Sequence, residues 1–162
     1  PTQEFGNVRS TIPRLVMATL MSPGPSGIVQ GVEMGLPEKM MFVGAPKKRE
    51  FLPTMDFSDL ARTLNSLLDR MPFLSTPGKI RFIDRDHQAV LGAIRGEPDY
   101  SLLVCANFDT GNEQQIELPG DLASRIANRK LKNELSGRDV SSWLKGSVLS
   151  LPAAGCIAII IS

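Results

Sequence analysis

The feature that most constrains this chain is a change of periodicity at Thr76-Pro77-Gly78. Before that point apolar residues recur at helical spacing. After it they come in short runs separated by Gly, Pro, Asp and Asn. A helix repeats about every 3.6 residues and a strand about every 2, so the two halves cannot share one regular layer. An α+β fold is predicted, divided into a helical part over 1–75 and an all-β part over 76–162. A chain of 162 residues has room for that arrangement.

The helical part carries the clearest local pattern. Phe57, Leu60, Ala61, Leu64, Leu67, Leu68 and Met71 fall at i, i+3, i+4, i+7, i+10, i+11 and i+14, which predicts a helix with one continuous apolar stripe. Asp56 is placed to cap it, Asp59 suits its first turn and Pro72 ends it. Burying such side chains contributes about 1.5–3 kcal/mol each. The stripe is therefore expected to pack on the strands that follow or on an earlier helix. That earlier helix is predicted from Ile12 to Met21, with Ser10 or Thr11 as cap, Pro13 in the first turn, and Ser22-Pro23-Gly24-Pro25 as its stop. Gly27 to Gln30 reads as a short buried strand, and Gly31 to Thr54 as a loop.

Beyond Thr76 the strand candidates are Lys79 to Phe82, Ala89 to Arg95, Tyr100 to Phe108, Gln114 to Leu118, Lys130 to Leu135, Ser147 to Leu151 and Gly155 to Ile161. Strands at this spacing, with turn residues between them, predict an antiparallel sandwich or barrel.

Charge and composition exclude several classes of function. Hydrophobic residues make up 42% and charged residues 22%, as in a folded globular protein. With 18 Lys+Arg against 17 Asp+Glu, no basic field is present for nucleic acid or an anionic membrane. The local cluster Lys47-Lys48-Arg49 is answered by Glu50 and reads as a solvated loop. No apolar run approaches the roughly 18 residues of a membrane span. Cys105 and Cys156 lie in apolar strand patterns and read as free buried thiols, with a cross-strand disulfide as the alternative. Neither has a His or Cys close by in sequence, so no metal or other cofactor is expected. The single histidine, His87, falls in the polar run Asp84-Arg85-Asp86-His87, which reads as a solvated turn. Trp143 and Tyr100 are the large amphipathic aromatics, expected to pack in the core or to stand as lone surface anchors.

Several stretches, read in order, resemble the end of an alpha-amylase superfamily enzyme. Pro23-Gly24-Pro25-Ser26-Gly27-Ile28-Val29-Gln30-Gly31-Val32-Glu33-Met34-Gly35 is similar to the segment that family builds on its eighth barrel strand, although Ser26-Gly27 replaces the usual bulkier residues. The helix ending Leu15-Val16-Met17-Ala18-Thr19-Leu20-Met21 resembles the helix before that strand. Further on, Leu102-Leu103-Val104-Cys105-Ala106-Asn107-Phe108 resembles the family's aliphatic strand ending in Asn-Phe. Leu135-Ser136-Gly137 resembles its Leu-x-Gly turn. Leu151-Pro152 and the aliphatic run from Gly155 to Ala158 resemble its closing hairpin.

This resemblance implies a helical remnant of a (β/α)8 barrel followed by the C-terminal β-sandwich of an enzyme that cleaves or transfers α-linked glucose. Such enzymes use a carboxylate nucleophile, a carboxylic acid and a supporting Asp. The resemblance places those groups on earlier barrel strands, so no catalytic residue is expected in this chain. Glu33 would stand at the active-site face of the barrel; it and Gln30 are read as holding backbone at the loop after the strand, with substrate contact as the alternative for both. The implied partners are the rest of the catalytic barrel and, through it, an α-glucan. Self-association through the exposed barrel remnant is a further expectation. The chain does not fix the parent's compartment, the cytoplasm being favoured. A non-enzymatic carbohydrate-binding or scaffold sandwich is the competing class, opposed by a content of one Trp and one Tyr.

Overall fold

The computed structural model describes residues 7–22, 24, 26–27, 31–35 and 55–162. The predicted strand from Gly27 to Gln30 and the basic cluster from Lys47 to Arg49 lie outside the described residues, apart from Gly27. Helix α1 is Thr11–Leu20, entered through a 3-10 turn at Val8–Ser10. Helix α2 is Ser58–Arg70, followed by a 3-10 turn at Pro72–Leu74. The strands are β1 (Ile80–Ile83), β2 (Val90–Glu97), β3 (Tyr100–Asn107), β4 (Gln114–Glu117), β5 (Leu144–Lys145), β6 (Val148–Leu151) and β7 (Cys156–Ile161). A short helix α3, Gly120–Ile126, lies between β4 and β5.

Two antiparallel sheets form, ordered β1-β2-β3-β7 and β4-β6-β5. The larger sheet is covered on both faces. Val90, Leu103, Cys105, Ile157, Ile159 and Ile161 meet Ile116, Leu118, Leu149 and Leu151 of the smaller-sheet side, closing the sandwich core. The alternate positions Ala93, Leu102, Val104, Ala106 and Ala158 turn the other way and meet Leu15, Val16, Leu20, Leu64, Leu67 and Met71 of the two helices. The molecule is thus three-layered, with helices, the four-stranded sheet and the three-stranded sheet stacked in that order. Double coverage explains why β3 is buried from Ser101 through Asn107 without the polar alternation of a half-exposed strand. The stripe of α2 is the reason the helical layer adheres. Phe57, Leu64, Leu67 and Met71 are almost wholly buried, and Leu60 and Leu68 flank them.

Close approach of the two sheets depends on Gly92. A Cβ there would stand 2.9 Å from Ile116 Cδ1 and 3.3 Å from Ile83 Cβ.

Two local expectations are corrected. Ser10 stands at the N-cap position of α1 but makes no side-chain cap bond: its hydroxyl and that of Thr11 are buried without a hydrogen-bond partner among the described residues, and Asn7 instead caps the preceding 3-10 turn, its side chain accepting from Arg9 N at 2.9 Å. Residues 130–135 form no strand; Lys132 makes one isolated bridge to Asp139. The segment instead seals the outer edge of β7. Asn133 Nδ2 donates to Cys156 O at 2.9 Å, Asn133 Oδ1 accepts from Ala158 N at 3.0 Å, and Glu134 N donates to Ala158 O at 2.8 Å. An amide side chain offers one donor and one acceptor, like a peptide group, and so replaces a strand partner. Helix α3 falls where the sequence predicts no element, because seven residues are too few to show a period; its Leu122 and Ile126 are buried in the sandwich core.

Candidate functional site

The candidate site is the turn Gly31 to Gly35, which carries Glu33. Both glycines hold positive φ, +99° and +61°, a backbone that L side chains rarely adopt. The Glu33 carboxylate accepts from Gly31 N at 2.8 Å, closing the turn on itself. The Glu33 carbonyl accepts from Phe57 N at 2.6 Å, tying the turn to the start of α2. Asp56 Oδ1 accepts from Ser58 N at 2.8 Å in the same region. Gln30 lies outside the described residues. Ser26 and Gly27, with Leu15, Thr19, Ala61, Leu64 and Asn65, line a small hollow of about 40 Å³.

Arg95 on β2 is a polar anchor of the helical layer. It is 1% exposed, and no carboxylate among the described residues pairs with it. Its Nη1 donates to Leu74 O at 3.1 Å and Leu20 O at 3.4 Å; its Nη2 donates to Phe73 O at 3.0 Å and Thr76 O at 3.3 Å. Burial pulls the guanidinium below its ordinary pKa. Burying an unpaired cation costs several kcal/mol, offset here by carbonyl dipoles from the ends of two helical segments, where such groups lack intrahelical partners. Sequence reading placed Arg95 only as the end of a strand. The available signal was a cation on the apolar-facing side of a doubly covered strand.

The residues that carry the Asn-Phe and Leu-Pro motifs meet at the opposite end of the sheet. Asn107 is fully buried, and its Nδ2 donates to Asn112 O at 3.0 Å, Leu151 O at 3.2 Å and Pro152 O at 2.9 Å. Its Oδ1 accepts from Asp109 N at 2.9 Å. Asp109 in turn accepts from Gly111 N, Asn112 N, Asn112 Nδ2 and Gln114 Nε2. These donors, the Asn112 side chain foremost, hold its carboxyl at about 2. The motif is therefore a structural lock between the β3–β4 loop and the closing hairpin.

Asp84, Arg85 and Asp86 are exposed, but His87 is not simply a solvated turn residue. Its Nδ1 accepts from Ala89 N at 3.1 Å and Val90 N at 3.0 Å, which leaves Nε2 to donate to Gln115 O at 2.8 Å. The ring bridges the two sheets. Cys105 and Cys156 are free thiols. They face opposite sides of the same sheet, Cys105 into the sandwich core and Cys156 toward the helices, so a disulfide between them is ruled out by strand parity. Burial pushes the Cys105 thiol up to about 12 and raises that of Cys156, where Cys105 adds to the shift. Trp143 packs against the sandwich core, while Tyr100 is 45% exposed with its ring edge-to-face on Phe73 at 5.9 Å. Among the described residues no three His, Cys, Asp or Glu side chains gather as metal ligands. No described helix is long and apolar enough to cross a membrane.

Comparison with known proteins agrees with this layout. No protein-family profile matches the chain. It is 35% identical over 68 residues to the alpha-1,4-glucan:maltose-1-phosphate maltosyltransferase of Picrophilus torridus, a stretch covering 42% of this chain and 11% of that protein. Among solved structures, the maltogenic alpha-amylase AmyB from Thermotoga neapolitana superposes with a TM-score of 0.67 at 15% identity, over 94% of this chain and 36% of that one. AmyP in complex with maltose superposes with a TM-score of 0.64 at 18% identity, over 96% of this chain and 35% of that one. The chain spans about a tenth of the maltosyltransferase and about a third of each of the two structures. With its helices, antiparallel sheets and order of elements, the chain shares the α+β fold of the matched part of these alpha-amylase-family enzymes.

Proposed function

We propose that this chain is the C-terminal, non-catalytic part of an α-glucan-active glycoside hydrolase or glycosyltransferase, and that it supports the catalytic barrel. The observation that carries the reading is the seating of α1 and α2 on the outer face of a closed sandwich. Helices that would belong to a barrel's end share their apolar core with Leu102, Val104 and Ala158, so the sandwich serves as their floor. The similarity to a maltosyltransferase and to AmyP, which was solved with maltose, supports α-linked glucose as the substrate class.

In the assembled enzyme Gln30 and Glu33 would stand at the barrel mouth, with the Glu33 carboxylate holding its own turn through Gly31 N. A retaining mechanism needs two carboxyl groups about 5–5.5 Å apart across one glycosidic bond. Three of the described acids hold the fold: Glu33 at Gly31, Asp109 at its loop, and Glu134 between Arg70 and Lys132.

The test is an assay of the 162-residue chain on starch, maltose and maltodextrins. The expected result is no release of reducing ends. Turnover that a single Asp or Glu substitution abolishes would overturn the proposal. Calorimetry with maltotriose addresses the competing class. Binding lost on Trp143→Ala would reassign the chain as a carbohydrate-binding domain.

A further inference from the structure

The four carbonyls around Arg95 come from two places far apart in sequence and adjacent in space. Leu20 is the last residue of α1, where the chain departs toward the Gly31–Gly35 turn. Phe73, Leu74 and Thr76 follow α2, where it returns to enter the sandwich. One guanidinium on the sheet therefore holds the departure and the return of the whole intervening segment. A guanidinium directs five N–H donors in a fixed plane and can serve several carbonyls at once; an ammonium of Lys is a compact point charge with three. The turn bearing Glu33 is joined to the same system, because Phe57 N donates to the Glu33 carbonyl at the head of α2.

We propose that Arg95 is a positioning residue that fixes the helical layer, and with it the Glu33 turn, on the sandwich. The positioning is a property of this chain. Its importance for an active site rests on the proposed function, whereas the clamp itself does not. The apolar contacts of α1 and α2 supply adhesion without direction. Arg95 supplies the registration, because its donors meet the carbonyls only when both segment ends are seated.

Native-state amide exchange on the 162-residue chain tests this. In Arg95→Ala the amides of Met21, Phe57, Leu74 and Ser75 should exchange at least about tenfold faster, while Leu103 and Val104 in the central strand change little. Millimolar guanidinium ion, against the same concentration of sodium, should restore part of the lost protection by refilling the vacated place. Arg95→Lys should give an intermediate loss without that rescue. If the alanine variant does not fold, the lysine variant carries the test. The proposal is overturned by equal loss of protection in helices and central strand, by unfolding of both variants, or by unchanged exchange at Met21 and Ser75. A negative glucan assay leaves this result untouched, and a negative exchange result leaves the glucan reading untouched.

Discussion

Asp109 shows how one side chain organises a loop. Its carboxyl is held at about 2, below the ordinary 3.8, by donors that exist only in the folded chain. A depressed folded pKa contributes stability that is fully present above the unfolded pKa and is lost as pH falls through the folded one. Between about pH 4 and pH 2 the chain should thus lose the Asp109 contribution, and Asp109→Asn should flatten that part of the acid limb. Urea midpoints of both proteins at pH 7, 4 and 2.5 check this; parallel curves would count against it. Asp56, Asp121 and Asp139 are also lowered, chiefly by hydrogen bonds from Ser58, Arg81 and Ser141, so the flattening will be partial. Sequence order alone displayed the motifs around Asn107 and Pro152. It did not display that the Asn107 amide joins them across a fold, since hydrogen bonds between residues 44 and 45 apart leave no periodic trace. Arg95 was hidden for the same reason.

At the scale of elements, α2 was legible almost to its ends, because an apolar stripe of about four turns has one way to be buried. The observed helix, Ser58–Arg70, lies within the predicted 57–71, and Pro72 begins the next turn. Leu67 is 0% exposed in the layer between helix and sheet, whereas Leu68 lies at its margin. Leu67→Ala should cost about 2–5 kcal/mol and Leu68→Ala clearly less. Denaturant unfolding of the two variants distinguishes them, and equal losses would mean that the stripe is not seated as described. The reading failed where an element is short or irregular. Residues 130–135 have the composition of a strand but use the Asn133 side chain to cover β7, and α3 is held by burial of Leu122 and Ile126, not by any repeat.

For the whole molecule, the central sheet has no solvent face in the middle of β3. Residues 76–162 expressed alone would uncover Leu102, Val104, Ala106 and Ala158 together and leave Arg95 only Thr76 O of its four carbonyls. Such an exposed apolar patch favours association. The shortened chain should self-associate on size-exclusion chromatography or unfold at lower urea than the 162-residue chain; a monomer with an unchanged midpoint would show that the helical layer is dispensable. The division at Thr76 marks a change of secondary structure, and the packing runs straight across it. By itself the sequence determined the helical stripe and most of the strands, because these depend on local periodicity, and it carried the order of motifs that resembles the alpha-amylase superfamily. Tertiary structure decided that one sheet is covered on both faces, that the thiols point apart, and that a lone buried cation binds both ends of the helical layer. Those outcomes depend on which distant backbone groups are brought within hydrogen-bonding reach, and only the folded chain specifies that.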